Sequence, residues 1–205
     1  MPGRRYHSPR RVEAAAATRQ SILDAAKELF ATHGYVATTV TRIAAAARVG
    51  TNTVYTSTGG KPQILRELVT ASVEDPIAER TLARVAAAGD AHDVVAYAVE
   101  GIRRDSEKHA VVIEILLDAA SVDAHAAEVL HFAQERFRDA LRTIADRLAA
   151  LGALPEGLDA AGATDVLWYY LGLSSWRVLV RENGWDWDTA ERWLRNRTVA
   201  ALLTG

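Results

Sequence analysis

Between Thr51 and Ser57, six of seven side chains (Thr51, Asn52, Thr53, Tyr55, Thr56, Ser57) carry a hydroxyl or an amide, with Val54 the apolar exception. Short donors and acceptors at this density suit the edge of a base pair. They are slim enough for a major groove about 12 Å wide, and an asparagine there can pair with adenine through two hydrogen bonds. Small polar residues also occur on short helices of ordinary three-helix bundles, so composition alone leaves both interpretations open. Other chemistry finds less support. His92, His109, His125 and His131 invite a metal, but His125 and His131 are six residues apart and fall on different helix faces. Glu114 and Asp118 share a face without a neighbouring histidine. No nucleophile–base pair or paired carboxylates point to catalysis, so we expect neither an enzyme nor a metal or other cofactor.

Groove-reading residues need a frame that holds them at a fixed angle. Ile22, Ala26, Leu29 and Phe30 form an apolar stripe at helical spacing, and Gly34 stands where a helix C-cap belongs. This predicts a first helix over Arg11–His33. Thr39 offers an N-cap for a short second helix through Ala47, with Val40, Ile43, Ala44 and Ala47 on its apolar side. A turn at Arg48-Val49-Gly50 leads into a third helix over Thr51–Ser57. Gly59-Gly60 ends it, and Pro62 starts a fourth. Two short helices joined by a tight turn, the second polar outside, describe a helix-turn-helix.

The rest of the chain is also helical by pattern. Segments 77–87, 91–108, 111–120, 124–151, 160–182 and 189–203 are amphipathic or apolar, and no period-two runs or hairpin turns appear. The expected fold class is therefore all-α: a helix-turn-helix domain over residues 1–65 with a basic N-terminal arm, then a helical bundle over 66–205.

Charge divides the chain at the same place. Up to Lys61 there are nine Lys and Arg against three acids, a net +6, which leaves −8 for the remainder within the overall −2. A basic first third on an acidic body fits an end that meets a polyanion. Apolar residues make up 49% and cysteine is absent, so disulfides and thiolate metal sites are excluded. Without a signal-like or spanning segment, a cytoplasmic, nucleoid-associated location is expected.

The run Thr18-Arg19, Ile22-Leu23, Ala25-Ala26, Leu29-Phe30, Gly34-Tyr35, Thr39, Ile43-Ala44, Ala47, Val49, Thr53-Val54-Tyr55, Lys61 and Leu65 resembles, in order and spacing, the N-terminal domain of the tetracycline-repressor (TetR) family. The resemblance implies that Tyr55 and Lys61 bind backbone phosphates. Thr53 would brace the recognition helix or touch phosphate. Thr39 caps the second helix and brings Arg42 to the DNA backbone. Base reading falls to Thr51, Asn52 and Thr56. Arg4, Arg5, Arg10 and Arg11 precede the first helix as an arm for a minor groove or for phosphates, or else form a solubilising tail. Three positions depart from the family pattern. Arg48 replaces a turn glycine, and a left-handed conformation there would cost about 1 kcal/mol, which a phosphate contact would offset. Gly50 replaces a polar cap. Thr58 replaces an aromatic, so the link to the fourth helix is expected to be looser.

Residues 160–180 are apolar on almost every side, which implies burial on every side. One face serves its own domain. The other, Trp168, Gly172, Trp176 and Leu179, calls for a partner copy, with Gly172 allowing close approach. Trp193, Leu194 and Leu202 of the last helix would complete an intermolecular four-helix bundle, as the resemblance also suggests. Tyr97, Ile113, Leu116, Leu117, Phe132, Phe137, Trp168 and Tyr169 could line a pocket for a small-molecule effector, or serve plain core packing. The expected function is a homodimeric regulator of transcription, a repressor released from a palindromic DNA operator by a ligand. A DNA-binding regulator without effector, and a helical-bundle enzyme, are the alternatives.

Overall fold

A computed structural model describes residues 9–203, and every element among them is helical. Ten α-helices follow in chain order: α1 Pro9–His33, α2 Val40–Ala46, α3 Thr51–Thr58, α4 Lys61–Val73, α5 Pro76–Ala87, α6 Ala91–Ala120, α7 Ala124–Ala150, α8 Ala160–Leu171, α9 Leu173–Trp176 and α10 Trp187–Leu202. A π-helical segment, Arg177–Glu182, lies between α9 and α10.

The contacts sort these residues into two compact units. One joins the residues up to Thr70 with Glu114–Leu130; the other comprises Ala71–Ile113 and the chain from His131 onward. In the first unit α1, α2 and α3 pack against one another. Ile22, Ala26 and Phe30 are spaced four apart on α1 and all are buried, as are Ile43 and Ala44 of α2 and Val54 of α3. Gly34 ends α1 in the left-handed region (φ +79°), its N–H bonded to the Phe30 carbonyl at 2.9 Å.

The core of the second unit is built from α5 to α10 and centres on Val95, Val99, Leu141, Leu148, Leu167 and Leu194. Here the structure departs from the periodic pattern in two places. The expected segments 91–108 and 111–120 are a single thirty-residue helix, α6, because His109 and Ala110 carry no breaker. The expected helix 160–182 is instead interrupted. Gly172 adopts an extended conformation (φ −62°, ψ 162°), which caps α8 and restarts the chain as α9. A Cβ at Gly172 would sit 2.5 Å from the Trp168 carbonyl oxygen, so the break itself requires a glycine here. The π-helical stretch follows, closed by the Asn183 N–H on the Val178 carbonyl five residues back at 2.9 Å. Asp186, not Thr189, opens the last helix: its carboxylate accepts from the Thr189 N–H at 2.8 Å and caps α10.

Candidate nucleic-acid interface

The short pair α2–α3 is held from behind and open in front. Thr39 caps α2, its hydroxyl oxygen accepting from the Arg42 N–H at 3.2 Å. That cap leaves the first amides of α2 and the exposed Arg42 side chain on the same short stretch, although the guanidinium also donates to the Ala37 carbonyl at 3.4 Å. Val54 and Thr58 turn inward from α3, while Thr51, Asn52, Tyr55 and Thr56 turn outward. Thr53 is half-buried, with its hydroxyl beside Gly50, whose added Cβ would lie 3.7 Å away. The outer face of α3 thus presents an amide, hydroxyls and a phenol, with Tyr55 54% exposed.

Thr56 is less versatile than its residue type suggests. Its hydroxyl lies 3.0 Å from the Asn52 carbonyl and 3.2 Å from that of Thr53, so its proton stays within the helix. What it offers outward is an acceptor oxygen and a methyl group.

The turn between the helices takes the unfavourable form considered for it. Arg48 has φ +56°, the single positive φ of a non-glycine residue among those described, at a cost of about 1 kcal/mol. The link from α3 to α4, expected to be loose, is instead closed by small residues. Thr58 is buried and donates to the Val54 carbonyl at 2.9 Å, and Gly59 caps α3 at φ +78°. Gly60, at φ +104°, lies under the Tyr55 ring, and a Cβ there would come within 3.2 Å of Tyr55 Cε1. Glycine at this point lets the phenol lie along the chain entering α4.

Lys61 at the start of α4 is tethered. Its ammonium donates to the Tyr35 carbonyl at 3.1 Å and lies 4.2 Å from the centre of the Tyr35 ring. Burial lowers its pKa, opposed by the negative charge of Asp123. Two of its three N–H bonds remain for an external anion. Tyr35 itself is buried against Phe30, ring centres 5.1 Å apart, and burial followed by the Asp123 charge pushes its hydroxyl up to about 12.

Two stabilising residues of this region escaped the sequence reading. Thr38, fully buried, sets its hydroxyl 2.9 Å from the Gly34 carbonyl and 3.2 Å from that of Leu29, which fixes the approach to α2. Glu67 of α4 receives Arg19 of α1 through two hydrogen bonds, 2.6 and 3.0 Å, so one of the nine cations is neutralised internally. The signal for Thr38 was its place after Gly34-Tyr35; the Arg19–Glu67 pair, forty-eight residues apart, left none.

Arg10 and Arg11 do not precede α1 as an arm; they lie exposed in its first turns, because the helix begins at Pro9, a favoured first-turn residue. Arg4 and Arg5 lie outside the described residues.

The residues assigned to a partner copy divide. Trp176, Leu179, Leu194 and Leu202 are buried within their own unit, Trp176 against Trp187 at 5.7 Å, so they serve the fold and offer no free surface. Trp176 and Leu179 follow the interruption at Gly172; Leu194 and Leu202 lie on the buried face of α10. The large apolar side chains left exposed on these elements are Tyr169 (73%), Val178 (42%) and Trp193 (39%). Tyr169, expected to line a pocket, therefore faces out. Of the other pocket candidates, Phe137 and Trp168 pack at 5.9 Å between ring centres, and Tyr97 lies under the Arg84 guanidinium at 4.1 Å. Phe132 and Ile113 are half-buried members of the second unit; Leu116 (buried) and Leu117 (half-buried) belong to the first.

The histidines meet carboxylates: His125 and Glu128 at 3.5 Å, His131 and Glu135 at 3.4 Å, His109 and Asp75 at 3.3 Å. Among the described residues no group of three or more potential ligands could hold a metal ion. None of their helices is long and apolar enough to cross a membrane.

Residues 22–68, which contain all of α2 and α3, match the family model of bacterial regulatory proteins, tetR family. No curated protein matches the chain. Solved structures share its fold over most of its length. The transcriptional regulator FadR from Bacillus subtilis, in complex with stearoyl-CoA, is similar with TM-score 0.73 and 19% identity, over 89% of this chain and 98% of that one. NalD, the secondary repressor of a multidrug efflux pump in Pseudomonas aeruginosa, gives 0.74 and 23%, over 92% and 98%. SmeT of Stenotrophomonas maltophilia, in complex with triclosan, gives 0.69 and 23%, over 92% of each chain.

Proposed function

We propose that this chain, whose N-terminal domain is that of the tetR family of bacterial regulatory proteins, regulates transcription by binding double-stranded DNA as a homodimer, and that a small molecule releases it. The observation that carries this proposal is the outward face of α3, where Thr51, Asn52 and Tyr55 stand exposed on a helix anchored by buried Val54. Asn52 reads a base, assisted by Thr51 and by the acceptor oxygen and methyl of Thr56. Tyr55, Lys61, Thr39, Arg42 and Thr53 hold the phosphate strands on either side. Residues 1–65 carry this contact, and residues 66–205 carry the partner copy and the effector.

Two copies meet through α8, the π-helical segment and α10, where Tyr169, Val178 and Trp193 are the apolar residues left uncovered. Such a pair sets its two α3 helices about 34 Å apart, the spacing of successive major grooves, and reads a palindromic operator. An effector that favours another spacing lowers DNA affinity by population shift. The half-buried aromatics Tyr97, Phe137 and Trp168 favour an apolar effector, and two similar structures hold triclosan and stearoyl-CoA. Repression is the output proposed.

A mobility shift with fragments from around its own gene tests the proposal. Retardation that weakens steeply with salt supports it. Failure to bind any duplex refutes it, and a monomer in sedimentation at working concentration refutes the two-copy arrangement.

A further inference from the structure

Arg48 stands in the four-residue turn between α2 and α3 in the left-handed region, at φ +56°. The turn closes through its main chain alone: the Arg48 N–H donates to the Ala45 carbonyl at 3.2 Å and the Val49 N–H to that of Ala44 at 2.9 Å. A glycine would make both bonds and adopt this φ freely. Among the described residues, the Arg48 side chain thus adds an unfavourable Cβ and supplies no compensating polar contact. It is exposed, and its guanidinium forms no hydrogen bond, ion pair or ring contact among the described residues. Neighbouring cations differ. Arg42 donates to the Ala37 carbonyl, Lys61 to that of Tyr35, and Arg19 to Glu67.

A non-glycine residue held in a sparsely populated conformation, with its functional group idle, points to a contact made outside the chain. The turn runs directly into Thr51, the first residue of α3. With that end of α3 in a groove, the turn rides at the groove edge, where phosphates line the duplex. A planar guanidinium with parallel N–H donors matches a phosphate better than any other side chain does. We propose that Arg48 is a further DNA-backbone ligand, a phosphate clamp on the turn that complements Tyr55 and Lys61. The inference rests on the DNA-binding function proposed above.

The test uses the full chain and a fluorescein-labelled duplex of mixed sequence, about 30 base pairs long, to span two half-sites. Anisotropy titrations are run across a salt series beside thermal melts. Arg48→Gly is expected to weaken binding roughly fivefold at low salt. Its plot of log affinity against log salt should be shallower by about one. Its Tm should hold or rise by up to about 3 °C, since glycine suits this φ. Arg48→Lys should keep most of the affinity. Equal affinity and slope for wild type and Arg48→Gly would overturn the proposal alone. A fall in Tm of more than about 3 °C would also overturn it, by placing the side chain's work inside the fold. Should the wild-type protein itself ignore duplex DNA, the transcriptional function falls and this ligand with it.

Discussion

The ammonium of Lys61 donates to the backbone carbonyl of Tyr35 at 3.1 Å while lying over the ring of the same residue, 4.2 Å from its centre. For the proposed phosphate contact, this tether would orient the cation in advance and spare part of the side-chain entropy that a free lysine would lose on binding.

Lys61→Ala should therefore weaken binding to preferred and unrelated duplexes by the same factor, about 1 kcal/mol, and reduce the salt slope by about one. Asn52→Ala should cost about 1–3 kcal/mol on the preferred sequence and little elsewhere. Competition titrations with specific and mixed duplexes separate the two outcomes. A sequence-selective loss for Lys61→Ala would contradict the phosphate assignment.

Tyr35 makes stability sensitive to alkali. Burial, then the Asp123 charge, raises its hydroxyl to about 12, above the ordinary value of 10. The folded protein therefore holds this proton more tightly than the unfolded chain does. The associated stability is complete below pH about 10 and is lost as pH rises through about 12. Tyr35→Phe should flatten urea midpoints across that window. It should cost little at neutral pH, because the buried hydroxyl has no hydrogen-bond partner.

Asp75 and Asp105 act in separate acid windows. Burial first, and then the Asp75 charge, raises Asp105 to about 6, against the opposing charges of His109 and Lys108. A raised carboxylate gives stability that is complete below pH about 4 and lost as pH climbs through about 6. Asp75 is lowered, chiefly by its hydrogen bond from Lys108 at 2.5 Å, so its contribution disappears as pH falls below the ordinary carboxylate range. Asp105→Asn should remove the decline between pH 4 and 6 in denaturant midpoints, whereas Asp75→Asn should flatten the more acid limb and, by removing a charge that raises Asp105, also shrink that decline.

Gly101 of α6 faces Thr81 of α5 at a distance that admits no side chain: a Cβ would fall 2.7 Å from that of Thr81. Gly101→Ala is expected to destabilise by about 1–3 kcal/mol through overpacking. Combined with Thr81→Gly, the loss should be smaller than the sum of the single changes, as a double-mutant cycle on urea unfolding would reveal. Strict additivity would mean that the two residues do not meet.

Legibility followed the range of the interactions. The α1–α4 frame could be read because its determinants are local: the four-residue stripe of Ile22, Ala26 and Phe30, the Thr39 cap, the glycines at 34 and 59. The outward set on α3 followed from the inward Val54 by helical geometry. The inward turn of Trp176 is not encoded in the spacing, because the extended backbone at Gly172 resets which side each later residue faces; Tyr169 precedes that break and faces out from α8 itself. A glycine in an apolar run has two uses, close packing or a break, and the break shows only in the neighbouring Trp168 carbonyl. Thr38, Lys61–Tyr35 and Arg19–Glu67 depend on partners brought together by folding, which spacing does not encode.

A π-helical turn carries one residue more than an α-helical turn of the same reach. Between Arg177 and Glu182, then, the polypeptide has slack. Excising exposed Arg181 would convert the Asn183-to-Val178 bond to ordinary four-residue spacing, leaving Leu179 and Trp185 in place. A single-codon deletion, ruinous in most interior helices, would here be absorbed as a change of pitch.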